Sequence, residues 1–81
     1  MLDDDAIRIR HMLDAAREAI GFASGRTSEE LTHDRMLLLS LVKCVEILGE
    51  AASRVTDATR ESLPEIPWRD IISMRNRLIH G

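Results

Sequence analysis

The stretch DRMLLLSLVKCVEILGEAASRV, residues 34–55, is the most apolar in the chain, and its periodicity decides the fold class. Met36, Leu37, Leu38, Leu39, Leu41, Val42, Val45, Ile47, Leu48, Ala51, Ala52 and Val55 make a stripe wide enough to imply burial against more than one neighbour. Lys43, Glu46, Glu50 and Arg54 recur at helical spacing as a narrow polar strip, with Glu50 and Arg54 in the favourable acid-before-base order. The spacing predicts a helix over about 34–55. Its polar strip reads first as a solvated face; the functional alternative is that Glu50 orients Arg75 or His80 across the molecule.

Upstream, Leu2, Ala6, Ile9, Leu13, Ala16, Ile20 and Ala23 alternate spacings of four and three, which predicts a helix over about 2–24 packed along that seam. Arg10, Asp14, Arg17 and Glu18 fall on the other face, and Asp3, Asp4 and Asp5 place negative charge at the positive end of the helix dipole. Gly25 marks the stop, and Thr27 with Glu30 reads as a capping box that opens a short turn over 28–33. Downstream, residues 56–62 add a helical turn before Pro64-Glu65-Ile66-Pro67 breaks the helix. Pro67 then opens a last helix running towards His80, with Asp70 near its positive end and Arg75, Arg77 and His80 near its negative end. No segment shows the two-residue alternation of a half-buried strand. The expected architecture is all-α, an antiparallel up-and-down helical bundle forming one domain over residues 1–81.

Composition narrows the function. A chain of 81 residues buries only about 60–65% of the surface its unfolded form exposes, so it gains much from a partner subunit. Phe22 and Trp68 are its only aromatics, which excludes a surface of stacked aromatic platforms for oligonucleotides. Cys44 lies alone in an apolar stretch, as a buried thiol with no internal disulfide, and a reducing cytoplasmic compartment is expected. No leader pattern opens the chain, and no apolar run approaches the roughly 18 residues that span a bilayer, so no membrane is expected among its partners. The net charge of −3 is uneven: residues 68–81 carry +2 and residues 1–67 carry −5, so the basic region is the C-terminal end. His11 and His33 share no pair spacing with each other or with His80, so no metal and no cofactor is expected and both read as ordinary surface or groove residues. Gly49 reads as a point of close helix approach beside Ala51 and Ala52. A DNA recognition helix is disfavoured, because Trp68, Ile71, Ile72, Leu78 and Ile79 leave little polar face.

In the tail WRDIISMRNRLIHG, Trp68, Ile72, Arg75 and Ile79 share one face, so an arginine occupies a slot the pattern reserves for an apolar side chain. A guanidinium is not buried without a partner, and the plain reading is an ion pair to Glu50 or Glu46. His80 follows Arg75 by five residues, about 140° around an ideal helix, so the two converge only if Gly81 loosens the last turn. An arginine and a histidine in one cleft bind a phosphodiester and move its protons.

The segment Ile66-Pro67-Trp68-Arg69-Asp70-Ile71-Ile72-Ser73-Met74-Arg75-Asn76-Arg77-Leu78-Ile79-His80-Gly81, with Ile47-Leu48-Gly49-Glu50-Ala51-Ala52 upstream, closely resembles the HepT-like branch of the HEPN superfamily. The opening segment from Asp4 to Leu13 is similar to that family's first helix. The resemblance implies a metal-independent ribonuclease toxin, built as a bundle that dimerises with its two motifs facing each other and neutralised by a nucleotidyltransferase-fold antitoxin. It further implies that Arg75 and His80 are the catalytic pair and that Asn76 is the polar residue commonly following the arginine. The expected partners are therefore a second copy in a homodimer, the antitoxin and an RNA substrate, with DNA inert because it lacks the 2′-hydroxyl. The family's motif continues to a tyrosine and a further helix, whereas this chain stops at Gly81. Either the sequence is a fragment of a longer protein or it is a degenerate member of the family; the expectation is the fragment, a bundle without its last helix and of weak or no activity by itself. The competing function is a non-catalytic helical module that dimerises or binds a nucleotidyltransferase partner.

Overall fold

The computed structural model describes residues 1–80. Five helices follow in order, α1 (Asp3–Ala23), α2 (Ser28–His33), α3 (Arg35–Ser53), α4 (Asp57–Ser62) and α5 (Trp68–His80), and no strand occurs among the described residues. The all-α bundle follows the periodicity. No helix among the described residues is long and apolar enough to cross a membrane.

Local chemistry sets the boundaries. After α1, Gly25 takes φ 72° and turns the chain through the left-handed region that glycine enters without penalty. The capping box forms: the Glu30 N–H donates to Thr27 Oγ1 at 3.2 Å and the Thr27 N–H donates back to Glu30 Oε1 at 3.4 Å. Asp34 caps α3 by accepting from the Leu37 N–H at 3.0 Å and pairs with Arg26 at 2.7 Å; these two bonds hold its carboxyl below the usual range. Arg60, from α4, donates to the carbonyls of Ala52 and Ser53 at 3.0 and 3.1 Å, satisfying acceptors that the end of α3 leaves open.

The helix α3 is central, with α1 along one side and α5 along the other. Asp5 at the start of α1 meets Thr56 just beyond α3, and Trp68 and Ile71 at the start of α5 pack on Ala51, Ala52 and Val55 at the end of α3 while Ile79 lies with Lys43 and Ile47 further back along it, so both flanking helices run antiparallel to α3. Met12, Ala51, Ala52 and Val55 form the core, backed by Ile9, Leu48, Ile66, Trp68, Ile71 and Ile72. Burying one such large apolar side chain stabilises by about 1.5–3 kcal/mol. The Trp68 indole also donates to the Leu63 carbonyl at 3.0 Å, fixing the turn that leads into α5.

The seam of α1 differs from the expected one. Leu2, Ala6, Leu13, Ile20 and Ala23 are exposed, and the buried line runs through Asp5, Met12 and Ala15, with Ile9, Ala16 and Ala19 half-buried. The rotation of α1 is set by Asp5. Its carboxylate accepts from the Thr56 N–H at 3.0 Å, the Thr56 hydroxyl at 2.6 Å and the Thr59 hydroxyl at 2.5 Å, capping α4 from another helix. Met36, Leu38 and Leu39 of α3 are likewise exposed, so its wide stripe is buried on two sides only towards its C-terminal half. The radius of gyration, 13.7 Å, exceeds the roughly 12 Å of a compact chain this long.

The bonds from Thr56, then that from Thr59, hold the Asp5 carboxyl below its ordinary range. A carboxylate depressed in the folded state stabilises above its unfolded pKa, and that stability is lost as pH falls through the folded value. Asp5→Ala is expected to lower the melting temperature at pH 7 by roughly 10 °C. Circular dichroism melts should show the gap to the native chain shrinking once the pH drops below about 4.

Candidate functional site

The site is built where α5 crosses the glycine of α3. A methyl group at Gly49 would overlap Cβ and Cγ of Arg75 and lie 3.3 Å from the Ile71 carbonyl, so only glycine admits α5 at this distance. The expected close approach at Gly49 is therefore found, and it serves to seat an arginine.

Arg75 is half-buried on α5, and its Nη2 donates to Glu50 Oε2. The plain reading of the arginine in the apolar slot thus holds: its carboxylate is Glu50. The other Glu50 oxygen, Oε1, accepts from Arg54 Nε at 3.0 Å and Nη2 at 2.8 Å. The bond from Arg54, with the positive charge of Arg75, holds the Glu50 carboxyl below its usual range despite partial burial. Glu50 therefore stays ionised between two guanidinium groups and fixes both. Asn76 Oδ1 accepts from Arg75 Nη1 at 2.9 Å, whereas Arg75 Nε is buried without a partner among the described residues.

These groups border an open cleft of about 410 Å³ floored by α3 and walled by α1 and α5. From α3 come Lys43, Glu46, Ile47, Glu50, Ala51 and Arg54; from α5, Arg75 and Ile79; from α1, Arg8 and His11. The polar strip of α3, read first as a solvated face, is the floor of this cleft. Four permanent cations against two carboxylates, in a chain that is negative as a whole, make it a local positive site. A guanidinium held by a carboxylate on one edge keeps further donors for an anion, and its planar fork matches two oxygens of a phosphate.

His80 does not join Arg75 within one chain. The helix continues through His80, which is exposed and lies outside the lining of the cleft. A regular helix keeps the two about 140° apart. The loosened turn attributed to Gly81 falls outside the described residues. Of the four residues singled out in the sequence, the structure brings together Arg75, Glu50 and Asn76, and leaves His80 on another face. The sequence reading gave no role to Arg8, and it classed His11 as an ordinary surface or groove residue. Their three-residue spacing on one face of α1 was the available signal, obscured by the assumption that the seam ran through Leu13.

The family described as Ribonuclease HepT-like matches residues 12–81. A protein of Methanocaldococcus jannaschii, provisionally named an RNase, is 30% identical over 69 residues, which cover 85% of this chain and 63% of that protein. A Caldanaerobacter subterraneus protein, also provisionally named an RNase, is 32% identical over 72 residues, 89% of this chain and 64% of that one. A Thermococcus cleftensis protein provisionally named ribonuclease HepT is 35% identical over 53 residues, 65% of this chain and 48% of that one. The chain thus spans between about half and two thirds of the length of these curated relatives. No solved structure matches it.

Proposed function

This chain belongs to the HepT-like ribonuclease family, and from that premise we propose that it is the RNA-cleaving subunit of a toxin–antitoxin pair, acting as a homodimer in the cytoplasm. The observation that carries the reading is Arg75, seated by Gly49 and clamped by Glu50 at the edge of an open, positively charged cleft. Because His80 sits on another face of α5, a complete site needs a second copy whose motif faces the first. Exposed apolar side chains beside the cleft, Ile47 and Ile79, and on α5, Met74 and Leu78, support such a face.

The chemistry follows from the groups available. The 2′-hydroxyl of the substrate attacks the neighbouring phosphorus, its proton passes to one His80, and the bond from phosphorus to the 5′-oxygen breaks. A second His80, protonated, gives its proton to that leaving oxygen, so the products are a 2′,3′-cyclic phosphate and a 5′-hydroxyl. Arg75 of each copy holds the non-bridging oxygens as their charge grows. Asn76 and Glu50 position the guanidinium. A nucleotidyltransferase-fold antitoxin is the proposed partner.

The test is incubation of the full-length protein with a single-stranded RNA and the DNA of the same sequence, both in EDTA. RNA shortened to products with cyclic phosphate ends, beside intact DNA, is the expected result. No cleavage of either, with a stable complex to a nucleotidyltransferase partner, would replace this reading with the non-catalytic interaction module. Glu50→Gln is expected to lower cleavage by roughly 10-fold, because the neutral amide no longer clamps Arg75. Unchanged turnover by Glu50→Gln in the same assay would remove the positioning role.

A further inference from the structure

We infer that Arg8 and His11 of α1 form a second phosphate-binding subsite, which holds a backbone phosphate of the RNA chain across the cleft from the phosphate at Arg75. This rests on the proposed action on single-stranded RNA. Three observations support it.

The first is placement. Arg8 and His11 stand three residues apart on α1, so they share a face, and both line the cleft whose opposite wall carries Arg75. A polymer lying in the groove passes both walls.

The second is the state of the charges. Arg54 and Arg75 are tied to Glu50, and Lys43 lies 3.9 Å from Glu46. Arg8 is half-buried yet has no ion pair among the described residues. A partly buried guanidinium without a counter-charge is poorly compensated, and an anion in the groove supplies what is missing. The groups facing it from the packed helices are Lys43, Glu46, Glu50 and Arg54 of α3 and Arg75 of α5. Glu50 is already neutralised by its two arginines, so the opening between Arg8 and Arg75 favours an anion.

The third is chemistry and size. A guanidinium and an imidazole one turn apart direct several N–H donors at one oxyanion, and about 410 Å³ is within the range of sites that enclose small ligands. Arg10, two residues from Arg8, is exposed and outside the cleft, and so serves as an internal comparison.

The experiment measures equilibrium binding of a fluorescein-labelled, fully 2′-O-methylated oligoribonucleotide by anisotropy across a series of KCl concentrations. The blocked 2′-hydroxyl makes the probe uncleavable, so binding is read apart from turnover. Each phosphate contact to a single strand adds about 0.7 to the slope of log affinity against log salt. Arg8→Gln is expected to lower that slope by about 0.7 and to weaken binding roughly 5- to 10-fold at low salt. Arg8→Lys keeps the charge and should keep the slope. His11→Gln should weaken binding about 3-fold, and Arg10→Gln should change neither quantity. Circular dichroism melts check that each variant is folded. An unchanged slope in Arg8→Gln, or an equal loss in Arg10→Gln, overturns the subsite. If the native chain binds the probe and cleaves RNA while Arg8→Gln behaves like it, only the subsite falls. If the native chain binds no RNA, the subsite falls with the ribonuclease reading.

Discussion

His80→Ala is expected to lower RNA cleavage by about 10²- to 10⁴-fold, the usual contribution of a positioned general acid or base. Its melting temperature should stay within a few degrees of the native chain's, because His80 is exposed and touches no part of the core. That separation makes the variant informative. A mutation that unfolds the bundle abolishes activity for trivial reasons, whereas this one removes only an imidazole at the end of α5. Arg75→Ala offers no such separation, since it leaves Glu50 with one guanidinium fewer and opens space beside Gly49. Mixing His80→Ala with Arg75→Ala adds a second arm. If the active unit is a homodimer with its motifs facing, mixed dimers carry one intact residue of each kind. Recovery of part of the activity in the mixture, absent from either variant alone, is the expected outcome. Cleavage by His80→Ala at the native rate would remove the histidine from the chemistry.

Gly49→Ala is the second large effect, and its sign runs against intuition for a helix. In an open helix interior the change stabilises by roughly 1 kcal/mol, because alanine has the better propensity. Here the new methyl meets Cβ and Cγ of Arg75, atoms near the backbone of α5 that cannot swing aside like a side-chain tip. The helix itself must shift, and overpacking of this kind costs about 1–3 kcal/mol. A net loss of up to about 2 kcal/mol follows, and Gly49→Val should lose more, about 3 kcal/mol, because its side chain is larger and its propensity gain smaller. Thermal melts check both. RNA cleavage should fall in parallel, since Arg75 moves away from Glu50. A stabilised Gly49→Ala protein would mean that α5 does not sit on α3 at this point.

The helices were legible because their signals are local. The capping box of Thr27 and Glu30, the stop at Gly25 and the proline pair before α5 each act within a few residues, and each appears where the pattern places it. The pairing of Arg75 with Glu50 was legible because an arginine in an apolar register demands a carboxylate, and only Glu46 and Glu50 stood on the facing helix. The rotation of α1 was not legible. It depends on a cap for α4 supplied by Asp5, more than fifty residues away, and no periodicity encodes a contact at that distance. Reading the seam through Leu2, Leu13 and Ile20 therefore turned α1 the wrong way and hid Arg8 from view. The position of His80 needed the structure for a different reason. Whether the last turn stays regular is decided by small differences at a helix end, and residue types constrain those weakly.

The contact between Asp5 and the threonines has a kinetic side. Thr56 and Thr59 lie 51 and 54 positions from Asp5, so the bonds close a loop containing α1, α2 and α3. Loop closure on this scale is entropically uphill and is rewarded only once α1 has docked on α3. The six-residue helix α4 is too short to persist by itself and gains its cap only at that moment. The latch on α4 is therefore expected to close only after α1 has paired with α3. A chain that has lost the latch should reach its bundle at nearly the native speed and come apart faster.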